Sequence, residues 1–95
     1  MVMHMFAFRL KSGVTEAQQQ RMLSDIGEVK SQIPLVLESH VGKNISPRGQ
    51  GFVIGGMMKF ADQAALESYN AHPAHQALLQ WLVPLIDAIE VDFAA

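Results

Sequence analysis

The sequence predicts an α+β fold, an antiparallel sheet with helices on one face, in the order strand, helix, strand, strand, split helix, strand. Two observations carry this. Residues 2–10, 52–60 and 88–93 alternate with a period of two, whereas residues 15–33 and 62–82 repeat apolar side chains at helical spacing. Turn-forming residues separate these runs, at Ser12-Gly13, between Gly42 and Gly51, and at His72-Pro73.

The first strand sets His4, Phe6, Phe8 and Leu10 on one face and Met3, Met5, Ala7 and Arg9 on the other. Thr15, followed three residues later by Gln18, has the pattern of a capping box. Met22, Ile26, Val29 and Ile33 then recur at helical spacing until Pro34 ends the run. A short strand is expected over residues 36–41, and another, after the loop, over residues 52–60. Asp62 is placed to cap a second helix that carries Leu66 and Tyr69 and runs to Ala71. There Pro73 forces His72 out of helical geometry, while its own fixed φ suits the first turn of a new helix. That third helix carries His75, Leu78 and Leu82 on one stripe, and beyond Pro84 residues 88–93 form the last strand.

A chain of 95 residues fits one domain spanning residues 1–95. With 49% hydrophobic and 17% charged residues it has the profile of a folded chain rather than a disordered one. The net charge of -2 comes from scattered residues, and no basic cluster exceeds Arg9-Leu10-Lys11, so nucleic acid is not an expected partner. Gly42-Lys43 lacks the preceding glycine and the following Ser or Thr of a P-loop. The apolar opening MVMHMFAFRL contains His4 and Arg9 and is far shorter than the ~20 residues a membrane span requires, so it is expected to be a strand and no membrane partner is foreseen. The absence of cysteine fits a reducing cytoplasm, the expected location.

The first strand is apolar on both faces. The third run repeats this, with Phe52, Ile54, Met58 and Phe60 opposing Val53, Gly55 and Met57. Helices on one side cover one of the two faces. A second copy docked on the face of Met3, Met5 and Met57 is the simplest cover for the other, and a homodimer is expected.

An opening H-x-x-x-F-x-L-K, the loop G-K-N-I-S-P-R-G, a strand ending Lys59-Phe60, the segment Y-N-A-H-P-A-H and a closing V-D-F occur in this order. Together they resemble the stress-responsive dimeric A/B-barrel domain family over nearly the whole chain. The resemblance implies a ferredoxin-like fold whose sheet packs against its copy to form a dimeric α+β barrel. Some plant members similar at the tyrosine and histidine use them to cyclise polyketide chains by aldol-type condensation, and the matching residues here are Tyr69 and His75.

His75 is expected to point at the sheet from just inside a helix start, where the positive end of the dipole favours a neutral imidazole able to act as a general base. Tyr69 can offer its hydroxyl to a carbonyl oxygen. His4, Phe6, Phe8, Ile26, Leu78 and Asp92 are expected to line the surrounding pocket, which takes a hydrophobic carbonyl or aromatic molecule. The chemistry expected is proton abstraction or a cyclase-like condensation, with no cofactor. A non-catalytic ligand-binding or dimerisation module is the alternative, and a cofactor-free monooxygenase or haem-type relative of similar fold is another. No metal site is expected from His72 and His75, because Pro73 separates the two rings and no acidic residue completes a ligand set nearby.

Overall fold

Strand β1 (Val2–Leu10) lies inside a four-stranded sheet, with β3 (Ile54–Phe60) antiparallel on one side and β4 (Ile86–Ala94) antiparallel on the other. Strand β2 (Glu38–Lys43) pairs with the far edge of β3, giving the order β2-β3-β1-β4. Helices α1 (Glu16–Gln32), α2 (Gln63–Ala71) and α3 (Pro73–Leu82) complete the chain. The computed structural model describes residues 1–95. This βαββααβ order on an antiparallel sheet is the ferredoxin-like α+β fold.

The helix signals act where the sequence put them. The Gln18 amide donates to Thr15 Oγ1 at 3.1 Å and the Thr15 amide donates to Gln18 Oε1 at 2.8 Å, so the capping box is complete. Asp62 Oδ1 accepts from the Ala65 amide at 2.8 Å to open α2. His72 ends α2 and caps α3 with the same extended backbone, φ -64° and ψ 138°.

Three strands differ from expectation in their bounds, and the second ends at Lys43 rather than at residue 41. The second strand starts at Glu38 rather than at residue 36, because the Val36 amide donates to the Ile33 carbonyl at 3.1 Å and closes a turn around Pro34. The third starts at Ile54 rather than Phe52. The Phe52 amide closes a turn onto the Gly49 carbonyl at 2.8 Å, and Gln50 and Gly51 take left-handed φ of 52° and 84°. The last strand is longer than residues 88–93 and pairs with β1 from Ile86 opposite Leu10 to Ala94 opposite Val2.

The core lies between the sheet and the helices. Phe6 and Phe8 from β1, Ile54, Met58 and Phe60 from β3, Met22, Ile26 and Val29 from α1, and Leu66, Tyr69, Leu78 and Leu82 from α2 and α3 are all buried. The opposite face of the sheet has no helix. Met5 on it is 44% exposed, and its neighbours on β4, Ile89, Val91 and Phe93, are 51%, 53% and 46% exposed. Met57 stands opposite Met5, so the apolar patch crosses the central strands. The sequence reading assigned Met3, Met5 and Met57 to this face, and β4 extends it.

Gly56 is required by packing. A Cβ there would lie 2.3 Å from Phe6 Cζ and 2.8 Å from the His40 carbonyl oxygen, so the Phe6 ring occupies the space that a side chain would need. Gly56→Ala should destabilise the protein by about 1–3 kcal/mol through displacement of Phe6. Gly27, in the middle of α1, meets only Val41 Cγ1 at 4.0 Å, so Gly27→Ala should instead stabilise by roughly 0.5–1 kcal/mol. Urea unfolding of both variants checks the opposite signs.

Candidate functional site

The site begins with the break between α2 and α3. Tyr69 belongs to the last turn of α2, and the chain restarts at Pro73, so His75 falls at the third position of α3 and faces back toward Tyr69. The two rings meet with centroids 4.5 Å apart. Tyr69 also packs on Phe60 at 5.0 Å and lies 6.2 Å from the ring of His4, so it stands between the two histidines.

His4, Tyr69 and His75 line a cleft between α3 and the β1–β4 half of the sheet. Phe6, Phe8 and Met58 form its floor, Leu78, Leu79 and Leu82 its helical wall, and Ile86, Ala88 and Glu90 the β4 side. The cleft encloses about 530 Å³ of atom-free space, its open mouth included. Its lining is mostly apolar, with His4, Tyr69, His75 and Glu90 as the side chains that bring polar atoms to it.

Hydrogen bonding distinguishes the imidazoles. His75 Nδ1 lies 3.0 Å from the Asn70 carbonyl oxygen, which can only accept, so Nδ1 carries the proton. In neutral His75 the lone pair is therefore on Nε2, which no protein group engages. Burial holds the pKa of this imidazole below the ordinary histidine value of 6.5. The expectation of a neutral ring thus agrees in direction, but its leading cause is desolvation rather than the helix dipole. The Asn70 hydrogen bond and the Glu90 charge oppose the shift, and His4 adds to it. For Tyr69, which is only 3% exposed, burial first and then the Glu90 charge push the hydroxyl pKa up, so it stays protonated and keeps a proton it can donate.

His4 is buried, and its Nδ1 lies 2.5 Å from Asp92 Oδ1, its register partner on β4. The carboxylate accepts, so this contact fixes both the tautomer and the plane of the His4 ring. Of the eight residues named from sequence, the structure brings His4, Phe6, Phe8, Ile26, Tyr69, His75 and Leu78 to one cleft. Asp92 stands apart. It does not line the cleft and reaches it only through His4.

His72 has a different task. Its Nδ1 accepts from the Ala74 amide at 3.0 Å, the reverse of the role Nδ1 plays in His75. Ligating a metal jointly through both Nδ1 atoms would break this cap and the Asn70 contact together. No group of three His, Cys, Asp or Glu side chains gathers in a metal-holding arrangement. No helix is long and apolar enough to cross a membrane.

Glu90 was missed by sequence reading. A signal for it existed, because Ala88, Glu90 and Asp92 share one face of a period-two strand, and putting Asp92 on the inner face puts Glu90 there as well.

Comparisons with known proteins agree with this architecture. A family protein of ferredoxin-like fold from Mesorhizobium loti is 32% identical, with 99% of this chain and 95% of that one covered and a TM-score of 0.84. A dimeric ferredoxin-like protein from Thermobifida fusca is 21% identical over 99% of this chain and 90% of its own, with a TM-score of 0.88. The hydroxynitrile lyase of Passiflora edulis is 20% identical over 97% of this chain and 90% of its own, with a TM-score of 0.89. No curated protein sequence matches significantly. The sequence model of the stress responsive A/B barrel domain matches residues 2–95, and the chain belongs to that family.

Proposed function

We propose that the cleft binds a small hydrophobic carbonyl compound and that His75 removes a proton from the carbon beside the carbonyl while Tyr69 holds the oxygen. The contact between the Tyr69 ring and an imidazole whose Nδ1 proton is already committed to Asn70 carries this reading. His75 Nε2 takes the C–H proton, and the bonding pair moves through the α-carbon to the carbonyl oxygen, forming an enolate. The Tyr69 hydroxyl donates a hydrogen bond to that oxygen. The enolate carbon then either recovers a proton or attacks a second carbonyl in the same molecule, which closes a ring. His4, oriented by Asp92, stands on the other side of Tyr69 as a second polar contact for the substrate. The fold shared with a hydroxynitrile lyase supports an enzyme reading.

Exchange of α-hydrogens for deuterium in 4-phenylbutan-2-one, followed by NMR in D2O, measures this step without requiring the natural substrate. Wild type should accelerate the exchange and His75→Ala should abolish the acceleration. Tyr69→Phe should slow it by about 10²–10³-fold, with ketone affinity kept within a few fold. A carrier protein would bind the ketone without accelerating exchange in any of the three.

Because burial lowers the His75 pKa, the neutral base persists below the ordinary histidine range. The rate should stay on its plateau as pH falls through 6.5 and decline only at lower pH, where the imidazole protonates. A decline centred above 6.5 would assign the base to another group.

The chain also acts, in this reading, as a homodimer joined through the bare sheet face. The exposed Met5, Ile89, Val91 and Phe93 support this, as does the dimeric state of the Thermobifida fusca protein. Leaving such a surface wet costs roughly 25 cal/mol per Å² of apolar area. Met5→Glu should yield monomer or unfolded protein, and Val91→Glu, on the edge strand, should yield folded monomer. Sedimentation velocity with circular dichroism separates these states, and a folded wild-type monomer at micromolar concentration contradicts the interface.

A further inference from the structure

Glu90 is the one acidic residue lining the cleft, and apart from His4 and His75 the one ionisable group there besides Tyr69. It lies on β4 opposite Phe6, on the same strand face as Asp92 two residues away. The two carboxylates have different fates. Asp92 is taken up by His4, whereas Glu90 takes part in none of the ion pairs of the chain. The rest of the β4 side of the cleft is Ile86 and Ala88, so nothing else there can satisfy a charged ligand. No lysine or arginine lines the cleft to receive a carboxylate.

We infer that Glu90 sets the charge preference of the cleft, which admits an apolar body bearing a protonated amine at the β4 side and rejects one bearing a carboxylate there. This rests on the cleft being the ligand site. The apolar body lies over Phe6, Phe8 and Met58, and its ammonium group donates to the Glu90 carboxylate at the open mouth. A carboxylate in the same place would face Glu90 with no cation to offset the repulsion. The mouth is wet, so the preference is electrostatic and weakens as salt is added.

Three ligands of nearly one shape test this: 2-phenylethylamine, 2-phenylethanol and phenylacetate, titrated against the protein by NMR at low ionic strength and pH above 7. Wild type should bind the amine about tenfold or more tighter than the carboxylate, with the alcohol between them. Glu90→Gln keeps the size of the side chain and should bring the three affinities together while leaving that of the alcohol within about twofold. Glu90→Lys should invert the order. Equal binding of amine and carboxylate by wild type, or a ratio that Glu90→Gln leaves unchanged, overturns the assignment of Glu90 while the cleft remains a ligand site, since the alcohol still binds. Failure of all three ligands to bind overturns the cleft itself, and this inference with it.

Discussion

Strand β1 is apolar on both faces and hydrogen-bonded along both edges, and the rest of the architecture follows from the need to cover it. Its inner residues, His4, Phe6 and Phe8, are buried beneath the helices, while Met5 on the other side stays 44% exposed. Antiparallel strands on either side satisfy its backbone, so neither edge can serve as a docking site. A helical layer covers one face only. The uncovered face keeps Met5, Ile89, Val91 and Phe93 exposed, and its apolar character arises from the same alternation that supplies the cleft floor.

The second constraint is local. Continuous helix through residues 63–82 would carry Tyr69 and His75 on one rigid rod, six residues apart and more than a turn and a half along the axis. Pro73 cannot donate to the preceding turn, and His72 is pushed into extended geometry, so the axis changes direction between the two. The imidazole then folds back onto the phenol ring. The carbonyl of Asn70, freed from helical bonding by the break, accepts from both His75 Nδ1 and Gln76 Nε2. One helix break thus positions the His75 imidazole, fixes its tautomer and satisfies an orphan carbonyl.

Most of the fold could be read from the sequence because its signals are local. The capping box at Thr15, the cap at Asp62 and the proline restart at Pro73 each act within four residues, and each appears in the structure at its expected place. The strand ends were less legible. Phe52 alternates correctly with Ile54, yet a turn involving Gly49 and Gly51 holds it out of the strand and under the Arg9 guanidinium, whose Cζ lies 4.5 Å above its ring. In the site, His75 and Tyr69 were legible because a proline and a helical stripe locate them. The pairing of His4 with Asp92 was not, because it depends on the register between two strands 88 residues apart. Glu90 was within reach of the sequence, since the alternation of β4 puts it on the face of Asp92.

Register also ties the two surfaces of the sheet together. On β4, Ala88, Glu90 and Asp92 face the helices, while Ile89, Val91 and Phe93 face the opposite way. A slip of one residue against β1 would move Glu90 out of the cleft, break the Asp92 contact to His4 and turn three large apolar side chains inward. No bulge interrupts the nine-residue pairing of β4 with β1, and the fit of the Phe6 ring over Gly56 fixes β1 against β3 on the other side. An error anywhere in this chain of pairings would damage the cleft and the outer face together. The polar corner of the site and the apolar patch behind it are therefore two readings of one strand alignment.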